Sequence, residues 1–458
     1  MTHMKRRDFL KLSALSAAAL AAPTILVPRY ARATEAFGAA RHVLVLFAKG
    51  GMRSHCMFNA VGAFEHNPFG SQSAAPGTEW TLGAACGDVD LSTSLGVVPS
   101  FAKVTADVAV LACVDHNPGG APDVGHDTAT RRIGTGDMDG RNGLLSVVGA
   151  HHPLYAQGFS REALPPVEIG ATDFGLGAGD YASRRPITLN GAGAGFLSDR
   201  PVGRGWKIGA REALDRRFLS RRSRAFARRL DSFHLSKTNV ALFADLLMDP
   251  RLSLYDAPEA EDAGVTNAQL LEVLGDYDLR DIGDTMSVRS WGADVALALR
   301  FFSLGAPFCV VTRDIYDMHD DERDNYAPRV TDLARQLAGL HFLLQRMSHP
   351  EGGTYFDKTI VVVLSEFSRN NTFAETGFNT GNGSDHVPDK AGPSRNQAVP
   401  ILGGPLSSRG RLFGSTDEAM NATGEVYSSR RLLATLLDVA GVSSSEMWSD
   451  APIAELFQ

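Results

Sequence analysis

Short apolar runs bounded by polar or glycine-containing turns recur along the chain at 42–47, 107–114, 166–170, 308–312, 359–364 and 398–402. Runs such as Val43-Leu44-Val45-Leu46 and Val361-Val362-Val363-Leu364 do not alternate with polar residues. The strands they predict are therefore buried on both faces, as in a parallel sheet covered by helices. Helical patterns separate several of them. Residues 287–303 carry Trp291, Val295, Leu297, Leu299 and Phe302, and lead directly into the strand at 308. Residues 328–347 set Val330, Leu333, Leu337, Leu340, Leu344 and Met347 three or four apart, and then yield to Pro350 and Gly352-Gly353. Strand, helix, strand in this order predicts an α/β fold, doubly wound, with a mostly parallel sheet and helices on both faces. One stretch differs: 211–235 holds eight arginines among Leu214, Phe218, Leu219, Phe226, Leu230 and Phe233. It reads as an amphipathic helix with a solvated basic face, or as an anion-attracting lip beside a pocket.

The first 33 residues stand apart from this pattern. Lys5-Arg6-Arg7-Asp8-Phe9-Leu10-Lys11 precedes an Ala- and Leu-rich stretch, and Ala31-Arg32-Ala33 offers a small-x-small cleavage site. The arrangement resembles a twin-arginine export signal, and Pro23 and Pro28 argue against a helix of the fold there. The expectation is a signal peptide over 1–33, a single domain over 34–458, passage through the twin-arginine translocase, and a periplasmic or extracellular mature chain. Removing the leader changes the charge. The whole chain has 45 Lys+Arg and 52 Asp+Glu, and the part after residue 33 keeps 39 and 51, a net of −12. Such a balance disfavours nucleic acid and anionic membranes as partners. No later apolar run reaches about 20 residues, so no integral membrane span is expected in the mature chain. Cys113 and Cys309 lie in apolar runs, whereas Cys56 and Cys86 lie in loop-like sequence. An oxidising compartment permits a Cys56–Cys86 disulfide without requiring one. No CxxC pair is present, which excludes a zinc ribbon or a thioredoxin-like motif.

Ligands of open α/β sheets bind beyond the carboxyl ends of strands, so polar clusters that follow predicted strands carry the candidate chemistry. Behind the strand at 308 comes Arg313-Asp314-Ile315-Tyr316-Asp317-Met318-His319-Asp320-Asp321. Its Asp and His residues are ligands that divalent metals accept; a solvated acidic loop is the plainer reading. Behind the strand at 359 comes Ser365-Glu366-Phe367-Ser368-Arg369-Asn370, where Glu366 can reach into a site and Arg369 can clamp an oxyanion. Gly383-Ser384-Asp385-His386 adds a further Asp-His pair, or a surface turn. Gly125-His126-Asp127-Thr128-Ala129-Thr130 follows the strand at 107. There Thr128 is either an activated hydroxyl in the first turn of a helix or simply part of its cap.

In chain order, the paired-arginine leader, Lys49-Gly50-Gly51, the 126–136 stretch ending Gly134-Thr135-Gly136, Asp317-x-His319, Ser365-Glu366-Phe367-x-Arg369 and Gly383-Ser384-Asp385-His386 resemble an exported family known as domain of unknown function 1501. That family is similar to the alkaline phosphatase and sulfatase superfamily. The resemblance implies an alkaline-phosphatase-like fold and a divalent metal (Zn, Mn, Mg or Ca) held by Asp317, His319, Glu366, Asp385 and His386. It also implies Thr128 as nucleophile, Arg369 steadying the anion, and an anionic small-molecule or polymer ester as substrate. Two departures shape the reading. Arg53 stands where the family carries an acid after strand one, and Phe367 where the superfamily carries a histidine. One ion rather than two is therefore expected. Two functions follow: an exported metal-dependent hydrolase of phosphate or sulfate esters, or a catalytically degenerate exported binding or assembly protein of the same fold.

Overall fold

The computed structural model describes residues 40–60, 67–115, 126–136, 142–155, 164–170, 174, 186–189, 246, 249–275, 278–280, 287–317, 322–368, 396–418, 420–446 and 450–458. The leader and the arginine-rich 211–235 stretch lie outside them. The described strands of the main sheet are β1 (His42–Lys49), β2 (Val108–Asp115), β3 (Val167–Ile169), β4 (Ile187–Leu189), β5 (Phe308–Asp314), β6 (Thr359–Leu364), β7 (Asn396–Leu402), β8 (Leu412–Phe413) and β9 (Tyr427–Ser428). Their spatial order is β8-β2-β7-β6-β1-β5-β3-β4, with β9 also pairing with β2.

β1 is the axis of this sheet, paired in parallel with β5 on one side and β6 on the other. No side chain from Val43 to Ala48 keeps any exposed surface, so both faces are covered, as the unalternating run predicts. β3 and β4 continue the parallel pairing beyond β5. Among the described strands of this main sheet only β7 runs antiparallel to its neighbours, β6 and β2. The fold is thus α/β with a mixed, mostly parallel sheet. The sequence-predicted strands agree within about two residues at each end, and β1 and β5 run two residues further, to Lys49 and Asp314.

The described helices include α1 (His126–Thr135), α2 (Leu144–His151), α3 (Asn267–Leu274), α4 (Gly292–Ser303), α5 (Glu322–Leu344) and α6 (Ser429–Val439). The predicted helix at 287–303 is two elements. Ser287–Arg289 forms a two-stranded ladder with Asp278–Arg280, and α4 begins only at Gly292. The reason is a close approach: a Cβ on Gly292 would stand 1.6 Å from the carbonyl oxygen of Gly275. The predicted helix at 328–347 instead starts at Glu322 and ends at Leu344, with Pro328 inside it. Proline lacks an N–H and interrupts a helix wherever that donor is needed. Here its absent donor falls on the second turn and the helix continues through it.

α4 packs on β5 and β3 and against α3, while α6 packs on β1 and α2. All four cysteines are buried and none is in a disulfide, so the permitted Cys56–Cys86 bridge is not formed. Cys56 and Cys86 lie in tight helical turns, Ser54–Cys56 and Ala84–Cys86, rather than in exposed loops. Burial pushes the Cys113 thiol up to about 12. Among the described residues no helix is long and apolar enough to cross a membrane.

Candidate functional site

Three neighbouring strands, β6, β1 and β5, release their chains at the same edge of the sheet, and the turns they enter are tied to one another. β1 exits through Gly50 and Gly51, with φ of +115° and +76°, a backbone region that side chains with a Cβ rarely adopt. A Cβ on Gly50 would lie 1.9 Å from the amide nitrogen of Asp317. Glycine therefore lets the turn after β1 lie against the turn after β5. Tyr316 N donates to Lys49 O at 3.1 Å across the same seam. The Gly50 amide in turn donates to Glu366 Oε1 at 2.7 Å, which ties in the turn after β6.

Ser365 is the junction of that third turn. Its hydroxyl donates to Ala48 O at 2.7 Å, accepts from Met52 N at 3.0 Å, and lies 3.0 Å from Glu366 Oε2. Gln397, on β7, clamps the Ser365 backbone from the far side. Ser365 N donates to Gln397 Oε1 at 2.9 Å, and Gln397 Nε2 donates to Ser365 O at 3.0 Å. The result is a fully buried carboxylate, Glu366, held by backbone and hydroxyl groups.

His126, the first residue of α1, closes the group. Its Nδ1 lies 2.6 Å from Glu366 Oε1 and its Nε2 lies 3.1 Å from Asp317 Oδ1. Both ring nitrogens face carboxylate oxygens, so both act as donors and the ring carries a positive charge. Burial alone would lower its pKa. The hydrogen bonds to Asp317 and Glu366, together with their charges, outweigh burial and push it up to about 9. The Phe367 ring packs on the imidazole, 4.9 Å between centroids. Beside it, Lys49 Nζ bridges Asp127 Oδ1 at 3.0 Å and Asp314 Oδ2 at 3.1 Å. Burial works against the Lys49 charge, but these two carboxylates raise its pKa. The same contact holds the Asp127 carboxyl below its ordinary range.

Of the residues expected from sequence, Asp317 and Glu366 come together at this edge. Thr128 lies in the first turn of α1 and is exposed. Arg53 is buried in the turn beyond Gly51. His319, Arg369, Asp385 and His386 lie outside the described residues. Sequence reasoning quoted His126 and Lys49 only as parts of motifs and gave neither a role. The available signal was position: each sits at or just after the carboxyl end of a strand or opens a helix.

The described donors do not fit a single ion. Glu366 Oε1 and Asp317 Oδ1 lie against opposite nitrogens of the His126 ring. An ion about 2.0–2.2 Å from each donor cannot touch both while the imidazole stands between them. Among the described residues no group of three or more His, Cys, Asp or Glu side chains is placed to hold a metal.

One protein-family model, described as protein of unknown function (DUF1501), matches residues 40–451. No curated protein matches the chain. Among solved structures, the chain is similar to the PsFucS1 sulfatase from Pseudoalteromonas sp., at 13% identity and a TM-score of 0.37, over 94% of this chain and 76% of that one. It is also similar to Ps i-CgsB in complex with k-i-k-neocarrahexaose, at 9% identity and a TM-score of 0.35, over 91% and 75%.

Proposed function

This chain belongs to the DUF1501 family, and on that premise we propose that it is an exported, hydrolase-like protein acting on phosphate or sulfate esters. The observation that carries the reading is His126, gripped at 2.6 Å by a buried carboxylate on one nitrogen and turned toward the half-exposed Asp317 with the other. A buried acid that orients an imidazole whose far N–H faces outward is a proton-transfer arrangement. In the proposed step an anionic ester replaces Asp317 as the partner of His126 Nε2. The Thr128 hydroxyl oxygen bonds to phosphorus or sulfur and releases its proton to solvent, the bond to the ester oxygen breaks, and that oxygen takes the Nε2 proton. Water then frees the esterified Thr128. Thr128 is supported by its exposure in the first turn of α1.

The test is turnover of p-nitrophenyl phosphate and p-nitrophenyl sulfate by the purified full chain. His126→Gln is expected to lower it at least about 100-fold, the low end for a general acid. Thr128→Ala is expected to abolish it; a fully active Thr128→Ala leaves water as the nucleophile. A parent protein inert on both esters overturns the reading. Elemental analysis belongs beside the assay. One equivalent or more of Zn, Mn, Mg or Ca would favour a metal-dependent mechanism over one that rests on His126 and Thr128 alone.

A second reading, a non-catalytic binding or assembly protein, is favoured by a different observation. Lys49 and His126 are already paired with Asp127, Asp314, Asp317 and Glu366, a self-satisfied network. Phosphate or sulfate binding without turnover would select it. Export is part of the proposal. Replacing Arg6 and Arg7 by lysine is expected to leave the precursor in the cytoplasm, read by fractionation and immunoblot; normal periplasmic yield would remove the leader assignment.

A further inference from the structure

His42 opens β1 at the end of the sheet opposite the candidate site, seven residues or about 23 Å of extended strand from Lys49. It is buried, and its Nε2 lies 3.2 Å from Nε2 of His349, also buried, in the turn between α5 and β6. Two ring nitrogens at that distance share one proton, and the remaining contacts say whose it is. His42 Nδ1 lies 3.0 Å from the carbonyl oxygen of Ala306, so Nδ1 carries hydrogen and Nε2 is bare. His349 Nδ1 accepts from the Glu351 amide at 3.1 Å, so Nδ1 is bare and Nε2 carries hydrogen. The chain of bonds therefore runs from the Glu351 amide through His349 and His42 to Ala306 O, with both rings neutral. It joins the start of β1, the turn between α4 and β5, and the turn between α5 and β6.

A second proton on either ring breaks this chain. On His42 it would set N–H against N–H; on His349 it would set Nδ1–H against the Glu351 amide. We propose that His42 and His349 form an acid-released latch at the amino-terminal edge of the sheet, closed while both rings are neutral and opened as the surroundings acidify.

The groups around the pair favour the closed, neutral form. Phe302 of α4 and Tyr355 pack on the His42 ring at 4.8 and 5.3 Å between centroids. Burial depresses His42 to about 3; the Ala306 and Glu351 contacts act the other way, while His349 and His152 add to the depression. Burial lowers His349 as well, with Lys358 and Arg41 adding to the effect and Glu351 opposing it. Glu351 itself is engaged by Arg41 at 2.9 Å. His152, facing the pair beyond α2, is held at about 4 by burial and by Arg41. The sign follows. A histidine whose pKa is lower in the closed state than in the open one stabilises closure above about pH 6.5 and loses that contribution as pH falls toward the lower value. Each such ring raises the opening constant about tenfold per pH unit in that window.

The test is hydrogen–deuterium exchange of the full chain between pH 7.5 and 5, corrected for intrinsic exchange. In the parent, amides in 40–46 and 347–358 should show an opening constant that rises more than tenfold below pH 6.5, while 108–114 stays level. In His42→Gln combined with His349→Gln the rise should shrink to about twofold or less. A level parent, or an equal rise in the double variant (which would point to His152), overturns the latch. If the double variant does not fold, the His42 Cε1 proton resonance of the parent decides. No titration above pH 5 supports the latch, and titration between pH 6 and 7 overturns it.

Discussion

Replacing Glu366 by leucine is expected to cost about 3–5 kcal/mol of folding stability, the range for removing one partner of a buried charged pair, and to remove any turnover that depends on His126. Glu366 has no exposed surface and accepts from the Gly50 amide and from His126. Leucine fills the space but satisfies neither donor, and an unpaired buried N–H is itself costly. Glu366→Gln retains an acceptor and should cost roughly half as much. Urea unfolding at pH 7 measures both, and a Glu366→Leu loss below about 1 kcal/mol would mean that water has taken the carboxylate's place. The pH dependence carries a sign. His126 is raised above its unfolded value of 6.5 to about 9. Its pairing therefore contributes fully below pH 6.5, weakens as pH rises above that, and is spent beyond about 9. The parent should lose stability across that window, and Glu366→Leu should lose much less.

Gly50→Ala is expected to be nearly as damaging, by a different route. Its φ of +115° strains any residue with a Cβ, and that Cβ would lie within 2.7 Å of three backbone atoms of Tyr316 and Asp317. Backbone cannot swing aside as a side-chain tip can, so strain and overpacking together cost at least about 2 kcal/mol. The clash also pushes Asp317 away from His126. The variant should therefore show a lower urea midpoint and, with Asp317 no longer competing for His126 Nε2, tighter binding of phosphate or sulfate. Gly96→Ala, where a Cβ meets nothing within 4 Å despite a φ of +114°, isolates the backbone contribution. Equal losses in the two variants would show that the seam between Gly50 and Asp317 is not tight.

The sequence carried the sheet well because its signal is local. Unbroken runs of Val and Leu in β1 and β6 can only be strands buried on both faces, and the structure places them side by side. It carried the site in part, because polar residues just beyond strand ends are visible as such, and Asp317 and Glu366 lie on opposite sides of the His126 ring. What it did not carry was non-local. The break before α4 depends on the approach of Gly292 to Gly275. His126 belongs to the same class. Its role comes from being caught between two carboxylates, 191 and 240 residues away in the chain, and no spacing rule links residues so far apart.

The antiparallel course of β7 governs how the chain at this edge can change. β6 runs toward the candidate site and β7 runs away from it, so the described chain ends at Ser368 and resumes at Asn396 on the same edge, where Ser365 and Gln397 clamp the two strands together. A parallel partner would have required the chain to cross to the opposite edge before re-entering the sheet. A change that parts β7 from β6 therefore reaches the site directly, because the Ser365 that Gln397 clamps also bonds Ala48 and Met52 at the exit of β1.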